Sequence, residues 1–366
     1  MITKRNFSRR SVLLGASGVA IASPFIRARP ARADKGEIVI ASWGGTRTTA
    51  MKKVMFDPFE KETGIRVRAD GPPEAAKVKA MVESGNVTWD LLDTDIPAIL
   101  SMVTAKLLDP IDYTKIDQKK LDPIPKVLRH QYGLGHLIYG FNIVYNTKSF
   151  APGKQPRSWV DVWDKNLKGA RCFPFSGGLS PQLEAALIAD GVPPEKVYPL
   201  DIERAWKSMD RLRPLVIKWY ANHAEAIQLL STGEVDICCT IGSRGIAAKS
   251  SGAPVEVEYN QGKLAPDNWA IVKGTQNLEA VYQFINFAID GKRQAELAKL
   301  IPYGPSSQDA FKYLSPEEAK DLSTAPDNLA KQFWNDTAWW GAIAAEGRTN
   351  SQIQNERYAK WMVQNR

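Results

Sequence analysis

Four short segments gather the side chains that could do chemistry on a small molecule: 42–46 (Ser-Trp-Gly-Gly-Thr), 93–95 (Asp-Thr-Asp), 175–178 (Phe-Ser-Gly-Gly) and 241–244 (Ile-Gly-Ser-Arg). Ser176, Gly177 and Gly178 lead into a helix start marked by Ser180 and Pro181. Free backbone N–H groups and the positive end of a helix dipole there suit an anionic group. Arg244 would add a bidentate donor to the same anion. Asp95 is available to an ammonium, whereas Asp93 is expected to bond its adjacent backbone. What is missing matters equally. The three histidines, His130, His136 and His223, are scattered, and neither Gly-x-Ser-x-Gly nor His-Glu-x-x-His occurs. An exported hydrolase, the competing class, would need a nucleophile with its base or two positioned carboxylates. The pattern therefore points to binding without catalysis, with no metal and no cofactor.

The elements that must hold these segments alternate. Apolar strands are predicted at 37–41, 65–67 and 89–92, with helices from about Thr48 and over 74–84. Asp57-Pro58-Phe59-Glu60 reads as a fresh helix start, with Asp57 as N-cap and Pro58 at N1. A second run carries an extended segment at 138–146, a strand at 169–173, and helices opened by Ser180, Asp201 and Asn222. A strand at 235–239 then runs into a loop holding Ser243 and Arg244. A later helix spans 278–290, with Asn277 and Gly291 as its caps. This βαβ rhythm predicts an α/β fold of two units. Two of the four chemical segments belong to each unit, and ligands of open α/β sheets sit beyond the carboxyl ends of strands. The site is therefore expected in a cleft between the units.

Residues 1–33 read as an export signal rather than as part of the working protein. Arg9-Arg10 precede an apolar run over 12–22, and Ala31-Arg32-Ala33 closes the segment. That order is a basic start, a short apolar stretch and an A-x-A cleavage site, with the paired arginines of the twin-arginine route. Cleavage is predicted after Ala33, releasing the chain into the periplasm through the twin-arginine translocase. The whole chain has 48 basic and 40 acidic side chains, a formal charge of +8. The signal holds seven of the basic ones and no acidic one, so the remaining 333 residues carry 41 against 40. A nearly neutral, mixed surface excludes nucleic acid as a partner. Cys172, Cys238 and Cys239 are expected as buried free thiols, because the chain would fold before export. A bridge from Cys172 to Cys238 or Cys239 is the alternative.

The segment Ile40-Ala41-Ser42-Trp43-Gly44-Gly45, followed by Phe59-Glu60-Lys61-Glu62-Thr63-Gly64-Ile65, resembles the opening of periplasmic solute-binding proteins of ABC importers. The likeness is greatest to the spermidine/putrescine-binding branch. It continues through Trp89-Asp90-Leu91-Leu92, Ser158-Trp159-Val160-Asp161-Val162-Trp163, Gly233-Glu234-Val235-Asp236 and Asp267-Asn268-Trp269-Ala270-Ile271. The resemblance implies a two-lobed type II clamshell with mixed, mainly parallel sheets and the ligand between the lobes. Lobe 1 would be 34–143 with 269–305, and lobe 2 would be 144–268 with 306–366. It implies a monomeric receptor that hands an amine-bearing solute, such as putrescine or spermidine, to an inner-membrane permease. Trp43 matches the family's aromatic after the first strand, and Asp267 matches an amine-binding carboxylate. Several residues of the diamine cage are replaced, the acidic residues before Pro181 by Ser176-Gly177-Gly178-Leu179-Ser180 and a tryptophan before Gly242 by Ile241. An amino-carboxylate or aminophosphonate zwitterion is the alternative ligand. The candidate ligand-binding set is Trp43, Gly44, Gly45, Thr46, Asp95, Ser176, Gly177, Gly178, Asn222, Ser243, Arg244, Asp267 and Tyr303. Trp334, Trp339 and Trp340 are expected to pack the C-terminal helices onto lobe 2.

Overall fold

A run of short apolar strands, each followed by a helix, can bury both faces of a sheet only if helices cover both sides. The computed structural model, which describes residues 36–175 and 182–363, shows this arrangement. The signal segment 1–33 lies outside the described residues, as do Ser176, Gly177, Gly178, Ser180 and Pro181.

Eight strands form the spine: β1 (Glu37–Ala41), β2 (Arg66–Asp70), β3 (Leu91–Asp95), β4 (Gly133–Asn146), β5 (Arg171–Pro174), β6 (Val216–Tyr220), β7 (Ile237–Ile241) and β8 (Val255–Val272). Their spatial order is β2-β1-β3-β8-β4-β7-β5-β6. On one side β1 pairs in parallel with β2 and β3. On the other, β5 pairs in parallel with β6 and β7. The long antiparallel strands β4 and β8 join the two sets, β8 to β3 and β4 to β7. The sheet is thus mixed.

Successive residues of β1 enter different cores, as a strand buried on both faces requires. Ile38 and Ile40 pack with Phe56, Phe59 and Phe284. Val39 and Ala41 pack with Val78, Met81 and Trp89. β7 behaves alike: Ile237 and Cys239 join one cluster and Cys238 another.

Several sequence expectations need correction. The first helix begins at Gly45 and runs unbroken to Thr63, so Asp57 opens no new helix. Residues Lys52–Phe56 form a π turn, in which the Asp57 N–H reaches back to the Lys52 carbonyl. Pro58 has no N–H to donate, and a widened turn just before it lets the helix continue. β3 starts at Leu91 rather than at Trp89, because the Asp90 carboxylate accepts the Val39 N–H at 2.7 Å in place of a backbone partner. Residues 242–244 belong to the helix Gly242–Ser250, not to a loop. The helix Leu278–Ala288 lacks a side-chain cap from Asn277, whose amide donates to Asp90 at 3.1 Å. Gly291 begins the next helix, with Asp290 as its cap.

The expected free thiols are also corrected. Cys172 and Cys238 form a disulfide, and only Cys239 is free and buried. The cause is register: Cys172 of β5 lies directly opposite Cys238 of the adjacent β7. Trp339 and Trp340 pack with the cluster around β5 and β7, as expected, but Trp334 packs with the cluster around β1.

Candidate ligand-binding cleft

At the end of β1 the chain turns through Ser42, Trp43 and Gly44 and enters its first helix at Gly45. The turn is locked locally. The Gly44 N–H donates to Thr48 Oγ1 at 2.9 Å, and the Ser42 and Thr48 hydroxyls are 2.8 Å apart. Gly71, at the end of β2, packs so closely here that a Cβ would lie 2.0 Å from the Ser42 carbonyl oxygen, so only glycine fits.

Two-residue periodicity puts Asp93 and Asp95 on one face of β3, and antiparallel register sets Asp267 of β8 opposite Asp95. These three carboxylates form an acidic wall. Arg47, in the first turn of the first helix, reaches across it and pairs with both Asp93 and Asp267. Its side chain is 12% exposed, and Nε has no partner among the described residues. The Ser42 hydroxyl donates to Asp93 at 2.9 Å, and His136 Nε2 lies 2.9 Å from the same carboxylate. The His136 ring is stacked on Trp269 at 3.8 Å.

Burial works against ionising Asp93, but Arg47, His136 and Ser42 hold its carboxyl below the usual range. Burial lifts the Asp267 carboxyl above that range in spite of Arg47. Burial also pushes Asp95 up to about 6, against the hydrogen bond it accepts from the Ala98 N–H. The expectation that Asp93 bonds its adjacent backbone is therefore corrected. It is the hub of a side-chain network.

The opposite wall comes from two helices. Ser243 and Arg244 lie in the first turn of Gly242–Ser250, directly after β7. Arg244 is exposed and makes no ion pair among the described residues. The Ser243 hydroxyl is buried without a hydrogen-bond partner among them. His223 opens the helix His223–Thr232, and its Nδ1 lies 2.9 Å from Thr240 Oγ1 and 3.1 Å from the Tyr220 hydroxyl. Burial, with Arg244 nearby, drives its pKa down to about 4, so the ring is neutral.

The cleft between these walls has a volume of about 1070 Å³. It gathers nine of the thirteen candidate residues: Trp43, Gly44, Gly45, Thr46, Asp95, Ser243, Arg244, Asp267 and Tyr303. Ser176, Gly177 and Gly178 lie outside the described residues. Asn222 does not line the cleft. Its side chain caps the helix at 223 by accepting from the Ala224 and Glu225 N–H groups at 3.1 and 3.0 Å.

Sequence reasoning missed Arg47, Tyr139, Phe141 and His223, all of which line the cleft, and Ile241, which it placed at the cleft, lines it as well. Arg47 had a signal: a cation in the first turn of a helix opposes the dipole and calls for a carboxylate nearby. Tyr139 and Phe141 had none, since apolar strand residues look alike wherever they point. Among the described residues no group of three or more His, Cys, Asp or Glu is placed to hold a metal ion.

Comparison with known proteins agrees with this architecture. Residues 54–329 match the family described as "Bacterial extracellular solute-binding protein". The gamma-aminobutyric acid-binding protein of Pseudomonas aeruginosa is 31% identical over 323 residues, 86% of this chain and 89% of the relative. The spermidine/putrescine-binding periplasmic protein of Salmonella typhimurium is 26% identical over 306 residues, 80% and 86% of the two chains. The crystal structure of an ABC transporter substrate-binding protein from Bradyrhizobium japonicum superposes with a TM-score of 0.81 at 36% identity, covering 89% of this chain and 99% of that one. With a cleft between two sheet halves and a family match over most of its length, the chain belongs to the bacterial extracellular solute-binding proteins, the receptors of ABC transporters.

Proposed function

We propose that this protein captures a small amino-carboxylate zwitterion of the 4-aminobutyrate type and delivers it to the permease of an ABC importer. The observation that carries this reading is the division of charge across the cleft. Among the described lining residues, one wall carries the carboxylates Asp95 and Asp267, the latter paired with Arg47, and the other wall offers Arg244 beside the unpartnered Ser243 hydroxyl. A ligand with an ammonium at one end and a carboxylate at the other satisfies both walls with charge-assisted hydrogen bonds. The 31% identical relative named for gamma-aminobutyric acid supports the same class.

A linear polyamine is the second reading. Asp95, Asp267, Trp43 and Tyr303 on one wall would suit an ammonium, and the Salmonella relative is named for polyamines.

In this reading 34–143 with 269–305 is one lobe and 144–268 with 306–366 the other. A monomer closes on the ligand because only the closed form lets both walls touch it. The reading assigns no catalysis. It includes export by the twin-arginine route with cleavage after Ala33, on the order of the basic, apolar and small residues in 1–33.

Calorimetric titration with 4-aminobutyrate, putrescine and spermidine decides between the ligands. The expected outcome is one-to-one binding of 4-aminobutyrate with a rise in Tm. Arg244→Ala should weaken it by roughly 2 kcal/mol, the size of a lost charge-assisted hydrogen bond. Tight binding of putrescine, unaffected by Arg244→Ala, would establish the polyamine reading instead.

A further inference from the structure

The acidic wall contains a cation of its own. Arg47 lies in the cleft lining and holds Asp93 with one terminal nitrogen and Asp267 with the other. The Asp267 carboxylate accepts no other hydrogen bond among the described residues. Asp95, directly across the strand pair, spends one oxygen on the Ala98 N–H and keeps the other unpaired among the described residues. The far wall adds no carboxylate among its described lining residues, only Arg244.

We infer that Arg47 is the specificity-determining residue of the cleft: its guanidinium takes the place of a ligand ammonium on Asp267, so the site accepts a single ammonium and rejects diamines. A diamine must pair two ammonium groups on entering a partly buried cleft, because an unpaired charge there loses its hydration without recompense. With Arg47 in place, only Asp95 is free to pair. The second ammonium would meet Arg47 or Arg244, and like charges brought together discriminate against the diamine. Removal of Arg47 releases Asp267 as a second anion on the same wall. Asp93 keeps its bonds from Ser42 and His136, so it does not depend on Arg47 alone.

The inference rests on the receptor reading of this cleft but not on which zwitterion fills it. The test is titration of putrescine and 4-aminobutyrate into the wild-type protein, Arg47→Met, and Arg47→Met with Asp267→Asn, with circular dichroism to confirm folding. Arg47→Gln keeps donors for both carboxylates and replaces the Met variant if that one fails to fold. The expected result is a gain in putrescine affinity of about tenfold or more on loss of the arginine charge, equal to 1.4 kcal/mol, and loss of that gain when Asp267 is neutralised. A purely structural arginine would produce no new ligand. A folded Met or Gln variant with unchanged putrescine affinity overturns the inference, as does a wild-type protein that already binds putrescine as tightly as the variant. A wild-type protein indifferent to 4-aminobutyrate would sink the ligand reading alone, since the putrescine comparison stands without it.

Discussion

Two buried ion clusters share strand β8, one at Lys263 and one at Asp267, and their surroundings set them apart. Lys263 lies 2.7 Å from Glu184, and both side chains are 0% exposed. Trp340 Nε1 donates to the same Glu184 oxygen at 3.0 Å, the Tyr198 hydroxyl donates to it as well, and the Lys263 ammonium lies 5.2 Å from the Trp340 ring center. Nothing can enter to replace either partner. Burial pushes the Lys263 ammonium below its usual range, and Glu184 opposes that shift. The Arg47, Asp93 and Asp267 cluster uses the same kinds of groups, but one side of it lines an open cleft of about 1070 Å³. A sealed pair can only hold elements together, here the C-terminal segment bearing Trp340 against β8. An open pair can be traded for a ligand.

The sharpest way to break this comparison is to remove one cation from each cluster. Lys263→Met strands a carboxylate in the core and should cost roughly 3–5 kcal/mol of stability in denaturant unfolding. Arg47→Met should cost clearly less, because water in the cleft reaches the released carboxylate. Equal losses would mean that the two clusters are alike after all.

The acidity of the open wall provides a second probe. Asp95 in the folded protein titrates at about 6, above the ordinary carboxyl range, because burial penalises its charged form. The folded state therefore binds the extra proton between the ordinary value near 4 and about 6. Asp95 lowers stability fully above about 6, and that penalty disappears as the pH falls toward 4. Ligand binding should run the other way. An ammonium needs the ionised carboxylate, so affinity should fall up to about tenfold per unit below pH 6. Asp95→Asn should bind weakly at every pH and flatten this dependence in titrations from pH 5 to 8.

The smallest expected effect belongs to Trp43. It is 46% exposed at the mouth of the cleft, so Trp43→Ala should weaken an ammonium ligand by about 0.5–1 kcal/mol, the value of an exposed cation–aromatic contact. The melting temperature without ligand should not move.

Much of the fold was legible because its signals are local. Asp201 and Asn222 cap the helices they were expected to open. Each depends on hydrogen bonds within a few residues along the chain, which sequence spacing encodes directly. The cleft lining was legible where the chain leaves the carboxyl end of a strand, as at Trp43 to Thr46 and at Ser243 and Arg244. Asn222 shows the limit of such reading: an Asn at a helix start serves equally well as cap or ligand group, and here both backbone N–H groups claim it.

By itself, the sequence determined the alternation of strands and helices, the positions of most helix ends and the absence of any familiar catalytic pattern, because periodicity and capping are properties of near neighbours. Tertiary structure alone decided that Cys172 faces Cys238 and that Arg47 closes on Asp267, a partner 220 residues away. Those pairings follow from strand order and register, and a shift of one residue would turn every side chain to the other face. The charge that a ligand meets in the cleft is therefore a property of the assembled sheet rather than of any one segment.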